Sequence, residues 1–110
     1  AVMSSTKALN WQSVRLLTIV AERLLRDRIL RHLDQMGVSG YTVIDSEGRG
    51  SRGLMVDEWQ GENVEIQVLA SRDVVDRIAA KMRERYFEHY SIILFAQDVD
   101  VLRGDKYRKP

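Results

Sequence analysis

The sequence predicts an α+β fold of βαββαβ order, an antiparallel sheet of four strands with two helices on one face. Apolar residues alternate or run together over short stretches, recur at helical spacing over two longer ones, and are interrupted by polar, glycine-rich sequence. Val14 to Ala21 (VRLLTIVA) is β-branched and leucine-rich and apolar at both alternating phases, as suits a central strand buried on both faces. Glu22 to Met36 switches to helical spacing: Leu25, Ile29, Leu33 and Met36 form one stripe, and Glu22/Arg26 and Asp27/Arg31 stand as i,i+4 pairs on the other. Gly37 supplies the stop. Gly40 to Asp45 (GYTVID) is a second strand, followed from Ser46 to Gly61 by a polar stretch studded with glycine, which predicts a long loop. Glu62 to Leu69 alternates Val64, Ile66 and Val68 against Glu65 and Gln67, a strand with one buried and one wetter face. Ser71 then reads as a helix N-cap, Asp73 favours the positive end of the dipole, and Val75, Ile78, Ala79, Met82 and Tyr86 make the apolar stripe. Ser91 to Ala96 (SIILFA) is a further two-sided apolar strand, and Asp100 to Arg103 adds a short one before a basic tail.

This order is that of the ferredoxin-like sandwich, whose sheet has one face bare of helices. Here Val14 to Ala21 and Ser91 to Ala96 are apolar on that face too, which predicts a homo-oligomer that covers it. With 110 residues, 45% of them apolar and 30% charged, the chain suits one domain with its own core, expected over 14–110 behind a disordered tail at 1–13. A net charge of +1, from 17 basic and 16 acidic residues mixed along the sequence, offers no strong field for a nucleic-acid backbone or an anionic membrane. There is no cysteine, hence no disulfide, no thiolate metal site and no cysteine nucleophile, and no apolar run is long enough to span a bilayer. A cytoplasmic address is expected.

Little in the sequence points to catalysis. The two histidines, His32 and His89, lack the spacing of a metal site or of a Ser/His/Asp set and read as surface or packing residues, and no metal is expected. Asp73, Asp76, Glu84 and Glu88 fall at helical spacing among arginines, a solvated face before an acid/base pair. The third strand lacks the basic and aromatic residues of an RNA-binding sheet. The informative stretch is Gly48-Arg49-Gly50-Ser51-Arg52-Gly53, directly after GYTVID. Glycines let successive backbone N–H groups converge and arginines bring forked donors, which is how a loop holds an oxyanion; the bare pattern fits a flexible, soluble loop equally well. Trp59 in the same loop suits a partner contact or packing on the domain's own edge. Arg103, after the last strand, is a candidate for reaching a phosphate.

Gly40-Tyr41-Thr42-Val43, then Gly48-x-Gly50 opening a long loop between the second and third strands, with an Arg just after the fourth, resembles the PII signal-transduction superfamily from about Val14 to Arg103. The wording GYTVIDSEGRGSRG together with YFEHYSIILFAQDVDVLRGDKY is more similar to the SbtB-type and carboxysome-associated PII-like proteins than to the nitrogen-regulating members. The resemblance implies a homotrimer whose sheets face the three-fold axis, with adenine nucleotides in the clefts between subunits. It places Thr42 and Val43 at the adenine, Gly48, Gly50, Ser51 and Arg52 at the phosphates at the base of the T-loop, Tyr90, Ser91 and Ile92 in the B-loop wall, and Arg103 as the reach from the last strand. Arg49, Gly50, Ser51 and Arg52 become the candidate bicarbonate site.

The departures are specific. His89-Tyr90-Ser91-Ile92 stands where nitrogen-regulating proteins carry a glycine-rich B-loop with a phosphate-binding lysine, Ser51 stands where an arginine is usual, and the loop has no tyrosine to be uridylylated. Weaker triphosphate binding and a preference for ADP, AMP or cyclic AMP follow. The cysteine-bearing ending of many SbtB proteins has no counterpart here, so redox control is not expected. The function implied is non-enzymatic: a sensor of adenylate status and inorganic carbon that signals through its T-loop to a bicarbonate transporter or a carboxysome-associated component. No cofactor is required. Two other classes share the fold: an amino-acid-sensing regulatory module, which would ignore adenylates, and a small phosphatase, for which no general base is evident.

Overall fold

The computed structural model describes residues 8–46 and 62–103. Strand β1 (Gln12–Glu22) is followed by a single 3₁₀ turn (Arg23–Leu25), helix α1 (Arg26–Gln35), strands β2 (Thr42–Ser46) and β3 (Asn63–Ala70), helix α2 (Arg72–Tyr86) and strand β4 (Ile92–Val101). The strands form one antiparallel sheet in the order β2-β3-β1-β4. This is the predicted ferredoxin-like α+β arrangement, with β1 and β3 in the middle and β2 and β4 at the edges.

The register decides which face each side chain takes. Leu17 lies between Val68 and Ala96, Ile19 between Ile66 and Leu94, and Ala21 between Val64 and Ile92. These residues form the sheet side of the core, with Leu25, Ile29 and Leu33 from the first helical segment and Val74, Val75, Ile78, Met82 and Tyr86 from α2. The intervening residues of β1 fall on the other face. There Leu16, Thr18 and Val20 lie beside Gln97, Phe95 and Ile93 of β4 and beside Leu69, Gln67 and Glu65 of β3. Ile93 and Phe95 are 60% and 51% exposed, so the bare face is apolar where the sequence predicted it to be.

Local chemistry sets the helix ends. Ser71 caps α2, its Oγ accepting from the Val74 N–H at 3.3 Å. At the end of α1, Gly37 takes φ +73°, a left-handed conformation that suits a residue without Cβ, while the Gly37 N–H donates to Asp34 O and the Val38 N–H to Leu33 O. That pairing is the Schellman closure of a helix.

Four expectations need adjustment. The helix does not begin at Glu22: β1 runs through that residue and the α-helix starts at Arg26, after the 3₁₀ turn. The Glu22/Arg26 and Asp27/Arg31 pairs are not formed, because Glu22 is engaged elsewhere and Asp27 binds its neighbour Arg26 at 2.8 Å. Asp100 to Arg103 adds no separate strand, since β4 continues unbroken to Val101 opposite Gln12. Gln12 and Ser13 belong to β1 rather than to a tail.

Candidate functional site

The sheet register brings four chain segments to one end of the sheet: the end of β1 at Glu22, the start of β3 at Asn63, the end of β2 at Ser46 and the start of β4 at Ile92. One predicted site segment lies there, beside the two margins of another. Tyr90, Ser91 and Ile92 form the turn from α2 into β4, and Ser46 and Glu62 flank the stretch 47–61. The predicted loop residues Gly48, Arg49, Gly50, Ser51, Arg52 and Trp59 lie in that stretch, outside the described residues.

The turn at Tyr90 is held on several sides. Its backbone N–H donates to Tyr86 O at 3.0 Å, its ring meets the Tyr86 ring edge-on with centroids 6.0 Å apart, and its hydroxyl accepts from Arg28 Nη1 at 3.4 Å. Ile92 lies opposite Ala21 and packs on the core. Between them, the exposed Ser91 donates its backbone N–H to Glu22 Oε2 at 3.0 Å.

Glu22 and Arg23, consecutive residues where β1 gives way to the 3₁₀ turn, tie this end together. Glu22 reaches the turn before β4. Arg23 reaches the opposite edge: its guanidinium pairs with Asp45 in β2, and its backbone N–H donates to Glu62 O at 3.1 Å. One dipeptide thus holds both margins of the β2–β3 connection and the residue that precedes β4. The sequence reading missed both residues. The signal was present as a Glu-Arg pair at the point where the apolar run VRLLTIVA stops, but helical spacing assigned it to the helix surface.

Thr42 and Val43 open β2, opposite Gln67 and Ile66. Val43 turns toward the helices and packs on the core, whereas Thr42 is exposed on the bare face, in the row that continues through Gln67 to Thr18 and Phe95. The adenine assignments therefore divide between the two faces of the edge strand. Arg103 stands apart from all of these. It lies two residues beyond Val101, in a left-handed conformation with φ 64° and exposed, at the end of the sheet where β1 begins. The 11 residues of β1, at roughly 3.4 Å each, separate Arg103 from the Glu22 end by on the order of 30 Å. Within one chain these residues do not converge.

An open pocket of about 410 Å³ lies at the Arg103 end, lined by Ser13, Val14, Arg15, Ser71, Arg72 and Asp98. It contains none of the predicted site residues, and the Arg15 guanidinium is already paired with Asp98 at 2.8 Å. Among the described residues no group of three or more His, Cys, Asp or Glu is placed to hold a metal ion, and no helix is long and apolar enough to cross a membrane. His32 packs edge-on against Tyr86 with centroids 5.8 Å apart, and His89 is exposed.

A four-stranded ferredoxin-like sheet with one apolar face bare, and with both margins of the β2–β3 connection beside the α2–β4 turn, defines a small α+β domain of the PII type. Residues 14–106 match the family Nitrogen regulatory protein P-II, and the chain belongs to that family; it is a regulatory protein and not an enzyme. Solved structures agree. A protein of Thermus thermophilus described as PII-like and signalling is 35% identical with a TM-score of 0.75, over 89% of this chain and 98% of that one. CPII of Thiomonas intermedia, a nitrogen regulatory PII-like protein, is 28% identical with a TM-score of 0.77 in a structure that holds ADP, AMP and bicarbonate, over 93% of this chain and all (100%) of the other. A second structure of CPII, with ADP and bicarbonate, gives 26% identity and a TM-score of 0.77 over 92% of this chain and 100% of that one.

Proposed function

We propose that this protein is an adenylate sensor of the SbtB and carboxysome-associated PII-like kind: a cytoplasmic homotrimer that binds ADP or AMP between subunits, takes bicarbonate as co-ligand, and reports inorganic-carbon and energy status to a partner protein through the 47–61 loop. The observation that carries this reading is that CPII, alike over nearly its whole length, was solved with ADP and bicarbonate together. The placement of Arg103 adds support. In this reading Arg103 reaches the nucleotide from a neighbouring copy, and a trimer with sheets facing the axis supplies such copies while covering Phe95 and Ile93.

In this reading Thr42 and Val43 meet the adenine, Gly48, Gly50, Ser51 and Arg52 take the phosphates, and Tyr90, Ser91 and Ile92 wall the cleft. Arg49, Gly50, Ser51 and Arg52 hold the bicarbonate, and Trp59 faces the partner, either a bicarbonate transporter or a carboxysome-associated protein. Ligands alter partner binding only through differential affinity for two states of the loop.

A calorimetric titration with ADP, run with and without bicarbonate, tests the proposal. Tighter ADP binding in bicarbonate is expected of a co-ligand, and by linkage ADP must raise bicarbonate affinity by the same factor. ADP binding indifferent to bicarbonate removes the carbon-sensing half. Absence of any adenylate binding removes the whole reading.

A further inference from the structure

The geometry points to Glu22 as a specificity-determining residue, one whose carboxylate competes with nucleotide phosphate for the Ser91 amide and so disfavours the more highly charged adenylates. The inference rests on the adenylate reading above, since it concerns the wall formed by Tyr90, Ser91 and Ile92, and it assigns a role to a residue that this reading leaves out.

Ladder pairing between β1 and β4 ends at Ala21 and Ile92. One residue further, where regular pairing would put Glu22 opposite Ser91, the side chain of Glu22 enters instead, and its Oε2 accepts the Ser91 N–H at 3.0 Å. In the adenylate reading this turn walls the nucleotide cleft, and the amide it could offer to a phosphate is already occupied by an anionic acceptor. The adjacent cation Arg23 is committed to Asp45 across the sheet, and among the described residues no Lys or Arg lies within ion-pair distance of the Glu22 carboxylate. A phosphate arriving at Ser91 must therefore displace a carboxylate or stand beside it. The resulting like-charge cost grows with the number of phosphate charges. Adenine and ribose, which are uncharged, incur none of it. The carboxylate thus supplies a physical reason for AMP and ADP to be favoured over ATP beyond the missing B-loop lysine.

The experiment compares AMP, ADP and ATP binding by calorimetry in the unaltered protein and in Glu22→Gln, which keeps an oxygen to accept from Ser91 while removing the charge. The variant is expected to bind ATP more tightly relative to AMP, the ratio of dissociation constants moving by about tenfold in favour of ATP. An unchanged ratio, with all three nucleotides still bound, overturns the role of Glu22 and leaves the adenylate reading standing. If the unaltered protein binds none of the three, the adenylate reading falls and this inference with it. Should Glu22→Gln fail to fold, the amide resonance of Ser91 in the unaltered protein decides: saturating ADP is expected to shift it as Glu22 lets go, and an unmoved resonance overturns the proposal.

Discussion

His32 shows what a single half-buried side chain does to the pH dependence of this fold. It packs against Tyr86, and its pKa is held below 6.5, first by burial and then by the charges of Arg85, Lys81 and Arg31. The folded state thus prefers neutral imidazole more strongly than the unfolded chain does. The sign follows from linkage. Above 6.5 both states carry a neutral His32 and its contribution is fully present; as pH falls below 6.5 the unfolded chain takes up a proton first, and stability drops until the folded pKa is also passed. Urea denaturation at about pH 7.5 and about pH 5.5 measures this. His32→Gln is expected to lose less stability between the two conditions than the unaltered protein, and an identical loss would assign the acid limb to other groups. Tyr86 works in the opposite range. Burial, its largest influence, raises its pKa above 10.0, and its hydroxyl is buried without a hydrogen-bond partner among the described residues. Its neutral form is the one the core holds, so alkali above that value favours unfolding.

At the scale of elements, the caps and clamps are separable by experiment. Ser71→Ala removes the acceptor for the Val74 N–H and is expected to cost about 1 kcal/mol in denaturant unfolding, with Ser71→Asp restoring most of it. The Arg23 pair should behave differently. Both its partners are largely exposed, so Arg23→Ala is expected to change global stability by less than about 1 kcal/mol. Local opening is another matter, because that guanidinium holds Asp45 on an edge strand of only five residues. Faster amide hydrogen exchange in Thr42–Ser46, with an almost unchanged unfolding midpoint, is the expected signature; unchanged exchange would show that pairing with β3 holds β2 by itself. The same contrast explains what the sequence made legible. β3 and α2 stood out because each buries one face, and Val64, Ile66 and Val68 or Ile78 and Met82 report it directly. The turn at Arg23–Leu25 did not, since Leu25 continues the stripe of Ile29 and Leu33 whether the backbone there is 3₁₀ or α. The contact between Glu22 and Ser91, 69 residues apart, was not legible at all. It exists only once the strand register places β1 against β4, and no local pattern encodes that.

At the scale of the whole molecule, the bare sheet face links assembly to ligand binding. Thr18 is only 2% exposed although it belongs to that face, because it sits between Phe95 and Gln67; Phe95 itself is left half open, as a residue awaiting a cover is. In the proposed trimer this face is buried against its copies, and a charge placed there has no partner and must be desolvated. Phe95→Asp is therefore expected to shift the protein from trimer toward monomer in sedimentation. The side chain lies away from the helix-side core, so the circular dichroism of the isolated domain should keep its α+β form. ADP binding should weaken with the oligomer, since Arg103 stands on the order of 30 Å from the Glu22 end of its own sheet and, in the proposed trimer, meets the cleft of another copy. A Phe95→Asp protein that remains trimeric would place the interface elsewhere. One that becomes monomeric yet binds ADP as before would show that a single chain holds the whole site, and that Arg103 has no part in it.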